Sequence, residues 1–124
     1  MKASELRIGN YVWDDYDGVL IVDSISKDSV RLSNTHQETS GKYSLKQIKP
    51  IEIHKDWLLD FGFKKDPNRH YRIYHGRNVP VRLWEISEDD WVCVKSNARV
   101  KYVHQLQNLF FALTGEELTI KEKV

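Results

Sequence analysis

The stretch KYVHQLQNLFFALTGEEL, residues 101–118, decides how the chain closes. Val103, Leu106, Leu109, Phe110 and Leu113 recur at the three-and-four spacing of an amphipathic helix. Thr114-Gly115 supplies the stop, because glycine enters the left-handed region without the steric cost of a Cβ. The spacing predicts a helix of about 14 residues and about 20 Å. Its polar side (His104, Gln105, Gln107 and Asn108) is neutral and rich in amides, a composition that suits a protein partner or plain solvent. Phe110 and Phe111 are adjacent and cannot both sit at the centre of one stripe. Phe111 is expected to be the partly exposed one and, beside Tyr102, a candidate interface anchor.

Working back from that helix, strands and turns account for the first 50 residues. Residues 6–13 read as a strand, 14–18 (DDYDG) as a polar turn, and 19–25 as a β-branched run suited to burial on both faces. Lys27-Asp28 turns the chain into a third strand at 30–32. Residues 33–41 (SNTHQETSG) read as a polar loop without core candidates, and 43–48 as a fourth strand punctuated by Pro50. A short helix is expected over 54–61, with Trp57, Leu58 and Phe61 on one face, Asp56 near its positive end and Gly62 at its stop. A hairpin follows, 70–75 against 79–86 through Gly76-Arg77-Asn78, then a turn at 87–90 and a strand at 91–95. The expected class is α+β. Residues 1–50 form a small bent antiparallel sheet or SH3-like barrel. Residues 51–124 form an α-βββ-α lobe with the closing helix packed on its sheet, as a second lobe or as part of one compact domain.

Apolar residues make up 40% and charged residues 30%, and four Trp, six Tyr and four Phe suffice for a core. No apolar run approaches the roughly 20 residues that span a bilayer, and the opening residues lack the apolar core of a secretion signal. The single cysteine, Cys93, excludes an internal disulfide and fits a reducing compartment. A soluble cytoplasmic protein is expected, with no membrane partner.

The net charge of +1 argues against bulk attraction to polyanions. Charge is distributed unevenly, however. Lys64, Lys65, Arg69, Arg72, Arg77 and Arg82 share a stretch whose single acid is Asp66. Acids gather instead at Asp14, Asp15 and Asp17, at Glu85, Glu88, Asp89 and Asp90, and at Glu116 and Glu117. Strand alternation places His70, Arg72 and Tyr74 on one side and Tyr71, Ile73 and His75 on the other. The first set combines cation and aromatic, which can pair a phosphate and stack on a base. The candidate contact set is therefore Lys64, Lys65, Arg69, Arg72, Tyr74, Arg77 and Arg82. The competing reading is a solvated face cross-paired with Glu85 and the acids of 88–90.

Catalytic and metal patterns fare worse. His54, His70, His75 and His104 with Cys93 offer no chelating spacing, because residues five apart on a strand face opposite ways. Cys93 lies between Val92 and Val94 as a small core residue. A metal-free ribonuclease needs two histidines, or one with a lysine, and His70 with Lys64 or Lys65 is the only such grouping beside the basic segment. Asp56 and Asp60 share a helix face rather than a cleft, and DDYDG lacks the glutamate that closes a calcium loop. Neither a phosphate-binding loop nor a nucleophile elbow is present. A non-enzyme without metal or cofactor is expected.

Together with ELRIGNYV (5–12) and WLLDFGF (57–63), the 101–118 stretch resembles small proteins of Bacteroidetes phages and integrated elements. Within that group the chain is similar to anti-CRISPR proteins, in particular an inhibitor of a type VI-B RNA-guided RNA nuclease of flavobacterial hosts. The resemblance implies a non-catalytic protein that binds the effector, its guide RNA, or both, in the host cytoplasm. It carries no catalytic residue. The alternative is a stand-alone nucleic-acid-binding module of a phage or mobile element.

Overall fold

The computed structural model describes residues 1–36, 38–65, 73–75, 81–94 and 96–120, with backbone alone at Ile73 and His75. Four strands form an antiparallel meander in chain order: β1 (Tyr11–Asp14), β2 (Gly18–Ile25), β3 (Ser29–Asn34) and β4 (Ser40–Ser44). β2 is the pivot because its two faces serve two cores. Leu20 and Val22 join Val12, Val30, Leu32, Leu45 and Ile48 on one side. Val19 and Ile21 turn the other way and pack, like Tyr11, on the cluster that holds the rest of the chain.

The expected turn after β1 forms around Asp14, a buried carboxylate that accepts the backbone N–H groups of Tyr16 (3.2 Å) and Asp17 (3.1 Å). Asp17 in turn accepts the Tyr43 hydroxyl at 2.6 Å, which ties the turn to β4. That hydrogen bond, with burial and the charges of Asp17 and Asp14 behind it, pushes the phenol from 10.0 up to about 12. The folded state therefore holds this proton more tightly than the unfolded chain. The stability it adds is complete below the unfolded phenol's pKa and is lost as pH climbs through about 12. A ring-carbon NMR titration should show Tyr43 ionising near that value, and Asp17→Asn should return it toward 10.0.

Three boundaries differ from the sequence reading. The first strand begins at Tyr11 rather than residue 6, because a 3-10 turn (Ala3–Glu5) and a bend at Gly9 come first. Gly9 has φ +96°, and its N–H bonds the Val22 carbonyl at 2.8 Å. The polar loop is shorter than expected: Ser33 and Asn34 end β3, and Ser40 and Gly41 open β4. Ser33 is buried and donates to Asp23 at 3.0 Å, so a polar residue tolerates burial once its hydroxyl is paired. The fourth strand ends at Ser44, and Leu45 and Ile48 reach the core from the turns that follow.

The second sheet has five strands in order, β5 (Lys64–Lys65), β6 (Ile73–His75), β7 (Arg82–Ser87), β8 (Asp90–Cys93) and β9 (Arg99–Val100). Three were expected, and the two additions are two-residue strands too short to show alternation. The turn at 76–78 lies outside the described residues. Helix α1 (Lys55–Asp60) is capped by the His54 Nδ1, which accepts the Asp56 N–H at 3.3 Å. Helix α2 (Val103–Thr114) ends as the sequence predicts, with Gly115 at φ +75° donating to the Phe111 carbonyl at 2.8 Å. Val103, Leu106 and Phe110 are buried in one cluster with Leu83, Trp91, Cys93 and Val100 of the sheet and Leu58, Phe61 and Phe63 around α1. Phe111 is partly exposed, as expected, and the Arg7 guanidinium lies 3.9 Å over its ring. The result is a mixed α+β fold built on antiparallel sheets. Among the described residues no helix is long and apolar enough to cross a membrane.

The amide face of α2 is not a bare surface. The Gln107 carboxamide is buried, accepting from the Tyr11 N–H (2.9 Å) and donating to the carbonyls of Gly9 (3.0 Å) and Leu118 (3.1 Å). Asn108 accepts from Asn10 Nδ2 at 3.0 Å and donates to the Glu5 carbonyl at 3.0 Å. These amides fasten the helix to the bend before β1. An external partner for them, one of the two expectations, gives way to an internal one.

Candidate nucleic-acid interface

Register decides which side chains of the second sheet can meet a ligand, because residues directly opposite one another point to the same face. One cross-strand row runs Lys65, Tyr74, Leu83, Cys93. Leu83 and Cys93 have 0% exposure, so this row faces the core. Tyr74 is buried with it, its ring edge-on to Trp91 at a centroid distance of 5.3 Å. Tyr74 is therefore not a stacking surface for a base. Lys65 belongs to the same row but stays exposed because β5 is the edge strand.

The opposite face carries Lys64 and Arg82, which stand in register through the backbone of β6, and next to them Trp84 and Val92. Lys64 and Arg82 are exposed and separated by the width of one intervening strand, about 10 Å between their backbones. Neither forms an ion pair with a described residue. Trp84 is 38% exposed and Ile86 44%. The aromatic on the cationic face is thus Trp84, a residue the sequence reading passed over. The alternation Arg82, Leu83, Trp84 could have found it, since a leucine flanked by a cation and an indole marks the inward position. Arg69, Arg72, Arg77 and His70 lie outside the described residues, so the His70–lysine grouping does too.

A groove of about 980 Å³ opens beside this sheet. His54, Lys55 and Lys65 line it together with Glu85, Glu88 and Asp89, while Tyr74, Trp84 and Ile86 add apolar surface. A phosphate entering it meets attraction and repulsion together, which makes the Lys64–Arg82 face the better anion surface despite the groove's larger size. The acids expected to cross-pair the basic strand are engaged elsewhere in part: Asp90 accepts two hydrogen bonds from Arg99, at 3.1 and 3.0 Å.

Asp15 and Asp56, singled out in the sequence, have structural roles. Asp15 pairs with Lys49 at 2.9 Å, and that hydrogen bond and charge hold its carboxyl below the ordinary range. Asp56 lies 3.4 Å from His54 at the start of α1. His104 is buried on α2, where desolvation pushes its pKa down against a weaker upward pull from Glu5. Among the described residues no group of three or more His, Cys, Asp or Glu is placed to hold a metal ion. Comparison with protein-family models, with curated proteins and with solved structures finds no match to the chain.

Proposed function

We propose that this protein is a non-catalytic inhibitor of the phage type that binds a nucleoprotein of host defence, an RNA-guided nuclease with its guide RNA. It acts in the host cytoplasm and meets the RNA through the outer face of the second sheet. The observation that carries this reading is the exposed row of Lys64 and Arg82 beside Trp84, on a chain of net charge +1. Two cations on a sheet face neutralise phosphates, and the adjacent, partly exposed indole adds aromatic surface beside them. The exposed acids of the 88–89 turn, Glu88 and Asp89, give the surface a second sign that suits the basic channel of such an effector.

The test is capture of a type VI-B effector loaded with guide RNA by wild-type protein and by the double variant Lys64→Glu/Arg82→Glu. Affinity should fall at least about tenfold, and the dependence of log affinity on log salt should become shallower by about 2. The melting temperature should be unchanged, because both side chains are exposed. Equal affinity in the folded double variant overturns the site. Salt-sensitive binding of free RNA or DNA, with no capture of the effector, identifies a stand-alone nucleic-acid-binding module instead.

A further inference from the structure

A second groove, about 600 Å³, lies between the 3-10 turn, the segment 98–102 and the first turns of α2. Ala98, Val100, Leu109 and Pro50 supply its apolar surface. The rings of Tyr102 and His104 line it as well, stacked 13° from parallel at 5.9 Å, with Lys101 Nζ 5.4 Å over the Tyr102 ring. His104 is only 4% exposed, and its Nδ1 has no hydrogen-bond partner among the described residues. Leaving a buried polar atom in that state is costly. Burial keeps this imidazole neutral at pH 7, since the shift is downward from 6.5.

Two further polar groups border the groove and are uncommitted among the described residues. Glu5 is exposed and forms no ion pair there. Gln105 uses its Oε1 to accept the N–H groups of Lys101 (3.0 Å) and Tyr102 (3.1 Å), which leaves its amide N–H donors for a ligand. The groove therefore offers a carboxylate acceptor, an amide donor, a neutral imidazole and a ring wall over an apolar floor. Of the two charged residues that line it among the described residues, Arg99 is paired with Asp90 and Glu5 is left unpaired.

We infer that this groove holds a single unpaired guanine base, its two adjacent N–H donors on the Glu5 carboxylate, its carbonyl oxygen on the Gln105 amide, and its ring against Tyr102 and His104. Guanine alone among the bases sets a ring N–H beside an exocyclic amine on its pairing edge, with a carbonyl next to them. Adenine and cytosine place a bare ring nitrogen next to the amine, where a carboxylate is repelled. Uracil has one N–H between two carbonyls. Lys101 stands at the tyrosine ring, where the attached phosphate can reach it. This site extends the proposed RNA contact but is separate from the Lys64–Arg82 face, so the two readings fail independently.

The experiment is an NMR titration of the full chain with 5′-GMP and 5′-AMP, reading the His104 imidazole and the Tyr102 ring. GMP should give saturable shifts of both, with about tenfold preference over AMP. Glu5→Gln should abolish that preference, while Lys64→Glu/Arg82→Glu should leave it intact. Three results each overturn the site: no saturable shift of His104 at millimolar GMP, equal response to AMP, or a stronger response to N-acetyl-argininamide, which identifies a partner's guanidinium as the occupant.

Discussion

Gln107→Leu should lower the free energy of unfolding by about 3–5 kcal/mol, more than any other conservative change on the face of α2. Leucine fits the volume but returns none of the polar contacts. The Tyr11 N–H at 2.9 Å and the carbonyls of Gly9 and Leu118, at 3.0 and 3.1 Å, all lose their partner in a position only 1% exposed. Asn10 Nδ2 keeps its shorter bond to Asn108 at 3.0 Å and loses the longer one, 3.4 Å, to Gln107. Urea denaturation followed by tryptophan fluorescence measures the change. Asn108→Ala, at a half-buried position, should cost about 1 kcal/mol. Equal losses for the two variants would mean that the buried amide does not fasten α2 to the bend before β1.

Trp91→Ala should be comparably damaging, at about 4–5 kcal/mol, because it empties the largest fully buried side chain of the core. The edge-on contact with Tyr74, 5.3 Å between centroids, goes with it. Trp91→Phe should cost about half as much. Phenylalanine keeps an aromatic ring for Tyr74, and the indole Nε1 it removes has no hydrogen-bond partner among the described residues. The same denaturation curves decide: a phenylalanine variant as unstable as the alanine one would show that the indole nitrogen is satisfied after all. Trp91 pairs with Glu85 across β7 and β8, one residue from Trp84. The alanine variant should therefore also blur the Lys64–Arg82–Trp84 face, whereas the phenylalanine variant should bind as wild type does.

Elements governed by a short-range rule were legible in the sequence. The apolar stripe of α2 (except Leu113, which is exposed) and its glycine stop, the short helix after residue 53 and the β-branched run of β2 follow from spacing and from one or two special residues. The bend at Gly9 was not, because residues 6–13 alternate well enough to pass for a strand. β5 and β9, two residues each, are defined by their neighbours rather than by any pattern of their own. Tyr74 shows the limit of a period-two argument. Alternation sorts residues into two sets, but naming the buried set requires knowing that Leu83 and Cys93 stand across from it. Trp84 entered the candidate face, and Tyr74 left it, for the same reason.

The sequence by itself determined the class of the fold, the closing helix with its glycine stop, and the uneven distribution of positive charge. Each of these depends on residues within a few positions of one another. Only the tertiary structure decided which aromatic accompanies Lys64 and Arg82, that the amides of α2 bind the chain's own backbone, and that His104 is enclosed beside a groove. The partners of Gln107 at Gly9 and Tyr11 lie 98 and 96 residues away along the chain. A polar stripe facing such a partner and one facing water have the same composition, and what separates them is the chain brought against them by folding.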